Sequence, residues 1–232
     1  VDFIIPKPMD PRLITTVAPA VAKAAMESGV AREPIRDWED YKRVLAGRLG
    51  QDNTLIRNLS VRARRHPKWV VFAEADHYKV LKAAETARDE GIVHPILLGS
   101  RDRILEMIEE HRIELPDVEI INPVDPDQQG RVEAFAGHLL AKRQRKGLTR
   151  EEAEGHMRRR SYFGSMLVET GEADAVISGL TRNYRESLLP PLQILGLADG
   201  VKKVAGMYIV QAKSGPMFFA DTTVNRDPSA RE

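Results

Sequence analysis

The sequence predicts an α/β fold, a three-layer arrangement with a mainly parallel sheet and crossover helices, preceded by a helical linker and followed by the start of a second α/β subdomain. Three observations predict it. From Asp52 onward short apolar runs alternate with amphipathic stretches of helical length. Before Asp52 there are two helical patterns and no strand-like run. Near the end the pattern changes to strand, turn, strand.

The elements follow in order. Ile4-Ile5-Pro6-Lys7-Pro8-Met9 is extended, because each proline fixes its own φ and biases the residue before it away from helix. Asp10 is an N-cap with Pro11 at the first helical position, apolar residues continue through Ala25, and Gly29 is the left-handed C-cap. A polar helix from Asp37 to Arg48 carries Trp38, Tyr41, Val44, Leu45 and Leu49 at helical spacing, and Gly50 ends it. Helix 52–65, strand Trp69–Ala73, helix 77–90 and strand Pro95–Leu98 come next. Helix 101–112, opened by Ser100, leads to strand Val118–Ile121 and a long helical stretch over 127–145. Thr149-Arg150-Glu151-Glu152 reads as a capping box that opens another helix. Helix 161–170, strand 173–179 and helix 183–195 follow, the last despite Pro190 and Pro191. Val204–Val210 and Met217–Ala220 form a hairpin across Ala212-Lys213-Ser214-Gly215-Pro216.

Composition excludes whole classes of function. The chain has 232 residues, with 35 Lys and Arg against 34 Asp and Glu, a net charge of +1. It is no polyelectrolyte, and nothing in its overall field favours nucleic acid or an anionic membrane as partner. It has no cysteine, which removes disulfides, thiolate metal sites and a Cys nucleophile and suits a cytoplasmic protein. The longest apolar stretch, Val17–Met26, carries Lys23 and falls short of the roughly 20 residues needed to span a bilayer. With no initiator Met, no signal segment and a helix pattern opening at Pro228, the sequence is expected to be a piece of a longer polypeptide.

In an open parallel sheet the loops after the strands bind ligands. The richest is Ser178-Gly179-Leu180-Thr181-Arg182-Asn183-Tyr184, whose hydroxyls, guanidinium and helix-start N–H groups make an anion cradle. The same residues also read as a helix cap at Thr181 or Asn183 beside a solvated Arg182. Gly99-Ser100-Arg101 is a smaller version, with Ser100 serving as a cap. Glu74, Asp76 and His77 are candidates for acid/base work, but they read better as the cap of the next helix. Arg158-Arg159-Arg160, just before a helix start, can meet phosphates or stay in solvent, whereas Lys142 to Lys146 reads as favourable charge at a helix C-terminus. No P-loop, G-x-G-x-x-G, H-E-x-x-H or G-x-S-x-G motif occurs, so the P-loop, dinucleotide, zinc-hydrolase and serine-hydrolase readings lose support.

The stretch Ile4-Ile5-Pro6-Lys7-Pro8-Met9-Asp10-Pro11-Arg12-Leu13-Ile14 through Gly29-Val30-Ala31 resembles the end of the catalytic part of large bacterial malic enzymes. From about Asp52 the chain resembles the phosphate acetyl/butyryltransferase family. The resemblance is carried by Ser161-Tyr162-Phe163-Gly164-Ser165-Met166-Leu167-Val168, Gly171 to Gly179, Leu192-Gln193-Ile194-Leu195-Gly196 and Phe218 to Asn225. Together they match the layout of multidomain malic enzymes. The resemblance implies a phosphotransacetylase-like, isocitrate dehydrogenase-like fold, with 1–31 the tail of the malic enzyme catalytic domain, 32–51 a helical linker, 52–190 the first subdomain and 191–232 the start of the second.

By the same resemblance the parent enzyme oxidatively decarboxylates malate to pyruvate with NADP or NAD and Mg or Mn. Those sites are expected upstream of this chain, which itself holds no cofactor or catalytic residue. The transferase-like domain would bind acetyl-CoA or a related acyl-CoA as an effector, act on the upstream malic enzyme domains and belong to a homo-oligomer. Ser178, Gly179, Thr181 and Arg182 are the expected ligand-loop residues, with Arg160 and Arg101 as further phosphate contacts and no metal ligands. One departure stands out, since transferases tend to have Arg before the Pro-Ala-Leu-Gln stretch and this chain has Leu189 before Pro190-Pro191-Leu192-Gln193. The alternatives are an active phosphate acetyltransferase, with Arg182 stabilising phosphoryl charge, and a platform for oligomerisation only.

Overall fold

The computed structural model describes residues 12–48, 54–212, 215–221 and 223–225. The chain divides into two compact units, Leu59–Gly206 with Thr223–Glu232, and Val1–Asn58 with Met207–Thr222.

The first of these units is built on a parallel sheet. Its strands are β1 (Lys68–Phe72), β2 (Val93–Leu98), β3 (Glu119–Ile121) and β4 (Ala175–Ile177), in the spatial order β3-β2-β1-β4. Every pairing is parallel, with Phe72 opposite Leu97 on one side and Ile177 on the other. Because successive side chains point to opposite faces, the strands feed two separate cores. Val70, Phe72 and Leu97 pack with Leu81 and Ala84 of α4 (Tyr78–Asp89) and with Ile104 and Met107 of α5 (Arg101–Glu110). On the other face Val71, Ile96 and Leu98 pack with α6 (Gln129–Arg143), α7 (Arg150–Met157), α8 (Arg160–Glu169) and Ile194 of α9 (Tyr184–Ile194). Three layers result, as the sequence predicts.

Phe163 of α8 is fully buried with its ring 5.2 Å from that of Phe135 on α6. Gly164 brings α8 down onto the sheet, since a Cβ there would lie 3.1 Å from Val71, 3.2 Å from Val176 and 3.3 Å from Leu98. The α7 start is the expected capping box, in which the Thr149 hydroxyl accepts the Glu152 N–H and the Glu152 carboxylate accepts the Thr149 N–H. The Lys142 ammonium donates to the carbonyl of Ile194 at 2.8 Å and pairs with Glu169, so this member of the basic run has local structural partners.

Several boundaries differ from the expectation. The helical stretch over 127–145 is α6 flanked by 3-10 turns at Pro126–Gln128 and Gln144–Lys146, and Gly147 closes it at φ 89°. β4 is shorter than 173–179. The Asp174 carboxylate at its start accepts the Trp69 N–H, and from Ser178 onward the donors turn to a side chain of the neighbouring loop.

In the other unit α1 (Arg12–Glu27) ends at Gly29 with φ 74°, and the Val30 N–H returns to the Ala25 carbonyl at 3.1 Å. α2 (Trp38–Arg48) opens at Asp37, whose carboxylate accepts the N–H groups of Glu39 and Asp40. α3 (Thr54–Arg65) crosses the boundary between the units. β5 (Met207–Ala212) and β6 (Gly215–Ala220) form an antiparallel pair; β5 begins three residues and ends two residues later than expected, β6 begins two residues earlier, and the connection is shorter. The features expected at residues 1–11, Leu49, Gly50, Asp52, Lys213-Ser214 and the helix opening at Pro228 lie outside the described residues.

Candidate functional site

β1 and β4 are neighbours, yet the chain leaves β1 for β2 and β3 on one side of the sheet and returns to β4 on the other. Ligands of open α/β sheets bind at such a switch point, outside the carboxyl ends of the two strands. Here that place is flanked by the loop Ala73–His77 after β1 and the loop Ser178–Asn183 after β4.

Glu74 lies two residues past the end of β1 and is only 7% exposed. Its carboxylate collects five donors from the opposite loop. One oxygen accepts the Ser178 hydroxyl at 3.1 Å and the N–H groups of Gly179 at 2.5 Å and Leu180 at 3.2 Å. The other accepts the Thr181 N–H at 2.5 Å and the Thr181 hydroxyl. Gly179 sits at φ 110°, where a side chain is strained, and this lets successive N–H groups converge as a nest. Burial alone would raise the Glu74 pKa, but the hydrogen bonds from Thr181, Gly179 and Ser178 outweigh it and hold it at about 2. The donors of this loop converge on an anion, and that anion is the protein's own Glu74 carboxylate.

The other candidates fall into place around this nest. Asn183 is the N-cap of α9, accepting the Glu186 N–H at 2.9 Å, and His77 caps α4 by accepting the Lys79 N–H at 3.2 Å. Arg160, at the start of α8, pairs with Asp76 at 2.7 Å. Arg158 donates to the Gln129 side chain at 2.6 Å, and the Arg159 guanidinium lies 5.6 Å from the centre of the Tyr162 ring. Arg182 is exposed and makes no ion pair among the described residues.

A crevice of about 520 Å³ opens at the switch point, with Glu74, Asp76, Arg160, Ser178, Thr181 and Arg182 among its lining residues. Arg158 and Arg159 also line it. The structure thus brings Ser178, Thr181, Arg182 and Arg160 to one cavity, while the Gly179 N–H faces Glu74. Arg101 is exposed at the start of α5 and is not among the lining residues. Ser100 occupies the N-cap position there without a side-chain cap bond. Sequence reasoning missed the roles of Glu74 and Asp76. Of the three residues read as a cap for α4, only His77 caps it, and the other two reach across the crevice. Arginines facing a polar crevice can hold phosphate groups by charge-assisted hydrogen bonds. No group of three or more His, Asp and Glu that could hold a metal ion occurs among the described residues.

The family model described as phosphate acetyl/butaryl transferase matches residues 54–232. The chain is 36% identical over 232 residues to the NADP-dependent malic enzyme of Haemophilus influenzae, a match covering 100% of this chain and 31% of that protein. It is also 34% identical to the phosphate acetyltransferase of Helicobacter pylori, over 76% of this chain and 33% of the relative. The chain therefore spans about a third of the length of these curated relatives. A solved phosphotransacetylase from Streptococcus pyogenes superposes with a TM-score of 0.64 at 29% identity, covering 75% of this chain and 54% of that one. The malic enzyme similarity also takes in residues 1–53, which the family match leaves out. Fold, signature segments and family match agree, and the chain belongs to the phosphate acetyl/butyryltransferase family.

Proposed function

We propose that this chain is the hinge and acetyl-CoA-sensing regulatory domain of an NADP-dependent malic enzyme, whose parent reaction converts malate to pyruvate, CO2 and NADPH. The observation that carries this reading is the crevice at the β1/β4 switch point, where Arg158, Arg159, Arg160 and Arg182 line one cavity. An acyl-CoA presents a pyrophosphate and a sugar phosphate, and several guanidiniums around one cleft are suited to hold them. Similarity along the whole chain to malic enzymes supports the parent activity. The hinge would comprise the helices before the sheet, α1 and α2.

The effector acts only if it binds two states of the enzyme differently, with a coupling of typically about 1–3 kcal/mol. The test is malate turnover by the full-length protein with acetyl-CoA titrated in. A shift in the malate concentration for half-saturation, with a reciprocal effect of malate on acetyl-CoA affinity, supports the reading; no effect of acetyl-CoA contradicts it.

A second reading, an active phosphate acetyltransferase, is favoured by the 34% identity to the Helicobacter pylori enzyme. Against it stands Leu189, four residues after Arg185 on the same face of α9, where transferases tend to carry a guanidinium. Thioester formation from acetyl phosphate and CoA at an enzymatic rate would establish this second reading.

A further inference from the structure

The loop after β1 carries two carboxylates that face the crevice in very different ways. Glu74 is buried and holds five donors of the loop after β4. Asp76, two residues on, makes a single ion pair with Arg160, and its side chain is 37% exposed. The Arg160 guanidinium reaches Asp76 past the end of β2, where a Cβ on Gly99 would lie 3.5 Å from it. That is ordinary van der Waals contact, so the end of β2 lines one side of the guanidinium. Glu74 cannot leave without stripping a nest of its acceptor, whereas a partly exposed pair like Arg160 with Asp76 is weak and can exchange.

We propose that Asp76 is an internal stand-in for a ligand phosphate, holding Arg160 in the crevice in the empty protein and yielding it to a phosphoryl group when a pyrophosphate-bearing ligand arrives. This rests on the proposed acyl-CoA site and adds to it a residue that sets affinity. Exchange keeps the guanidinium paired at every stage, so the ligand gains one strong charge-assisted bond and the protein loses one weak pair. Asp76 therefore works against binding, and its removal should tighten the site.

The test uses the full-length protein and inorganic pyrophosphate as the probe, with affinities measured by calorimetry for the wild type, D76N, R160Q and the double variant. D76N is expected to bind pyrophosphate about three- to fivefold more tightly, R160Q more weakly, and D76N should give no gain in the R160Q background. Unchanged or weaker binding by D76N overturns the proposal. So does a gain of the same size in the R160Q background, because that would be a general charge effect and not an exchange. Acetyl-CoA binding by the wild type is measured alongside. Its absence, together with the pyrophosphate pattern above, would remove the acyl-CoA reading while leaving the exchange at Arg160 in place.

Discussion

The carboxylate of Glu74 accepts the backbone N–H of Gly179 at 2.5 Å, joining the ends of two neighbouring parallel strands across 105 positions of sequence. With its four companion bonds this contact fixes the loop that forms one wall of the crevice. The loop is thus shaped before any ligand arrives, and ordering it costs little on binding.

Replacing Glu74 with Gln keeps the shape but sets an amide against N–H donors. Hydrogen bonds to charged groups contribute about 1.5–3 kcal/mol, so E74Q is expected to lose about 2 kcal/mol at neutral pH. The pKa of Glu74 is lowered from 4.5 to about 2 on folding, so its stabilisation is complete above pH 4.5 and is lost as the pH falls from there towards 2. Urea unfolding of both proteins between pH 3 and 7 should show a gap that holds down to about pH 5 and narrows below it. A gap of constant size to pH 3 would refute the assignment.

His156 stacks on Tyr162 with ring centres 4.4 Å apart. Burial, and then the charge of Arg159, lower its pKa below 6.5 against the opposing pull of Glu152. The folded state therefore favours the neutral ring, and stability that is full above pH 6.5 falls as the pH drops below it. Thermal melts from pH 8 to pH 5 should show this loss in the wild type and a smaller one in H156Q. Parallel pH profiles would contradict the account.

Gly164 tests the contact of α8 with the sheet. Alanine would gain about 1 kcal/mol of helix propensity, but its Cβ would press on Val71, Val176 and Leu98 at 3.1–3.3 Å, and overpacking costs about 1–3 kcal/mol. G164A is expected to be net destabilised by about 1 kcal/mol in chemical unfolding. A stabilised variant would show that the helix can lift without penalty.

Much of this fold was legible because its signals are local. The capping box at Thr149, the left-handed Gly29 and the alternation of apolar runs with amphipathic helices all act within a few residues. The length of β4 was not legible, because it depends on where the donors of Ser178 to Thr181 go, and they go to Glu74. The same separation hid the site's two carboxylates. Arg160 and Arg182 could be picked out from their loops as candidates, and both line the crevice, but Asp76 facing Arg160 requires α8 to be seated on the sheet first.

The most direct test of the central claim is a calorimetric titration of acetyl-CoA into the full-length protein and its R182Q variant. The account predicts one site per chain in the wild type and an affinity about tenfold lower in R182Q, the loss of one charge-assisted hydrogen bond. Equal affinity in the two proteins would move the ligand away from the β1/β4 crevice, and no binding by a folded wild type would contradict the sensing role itself.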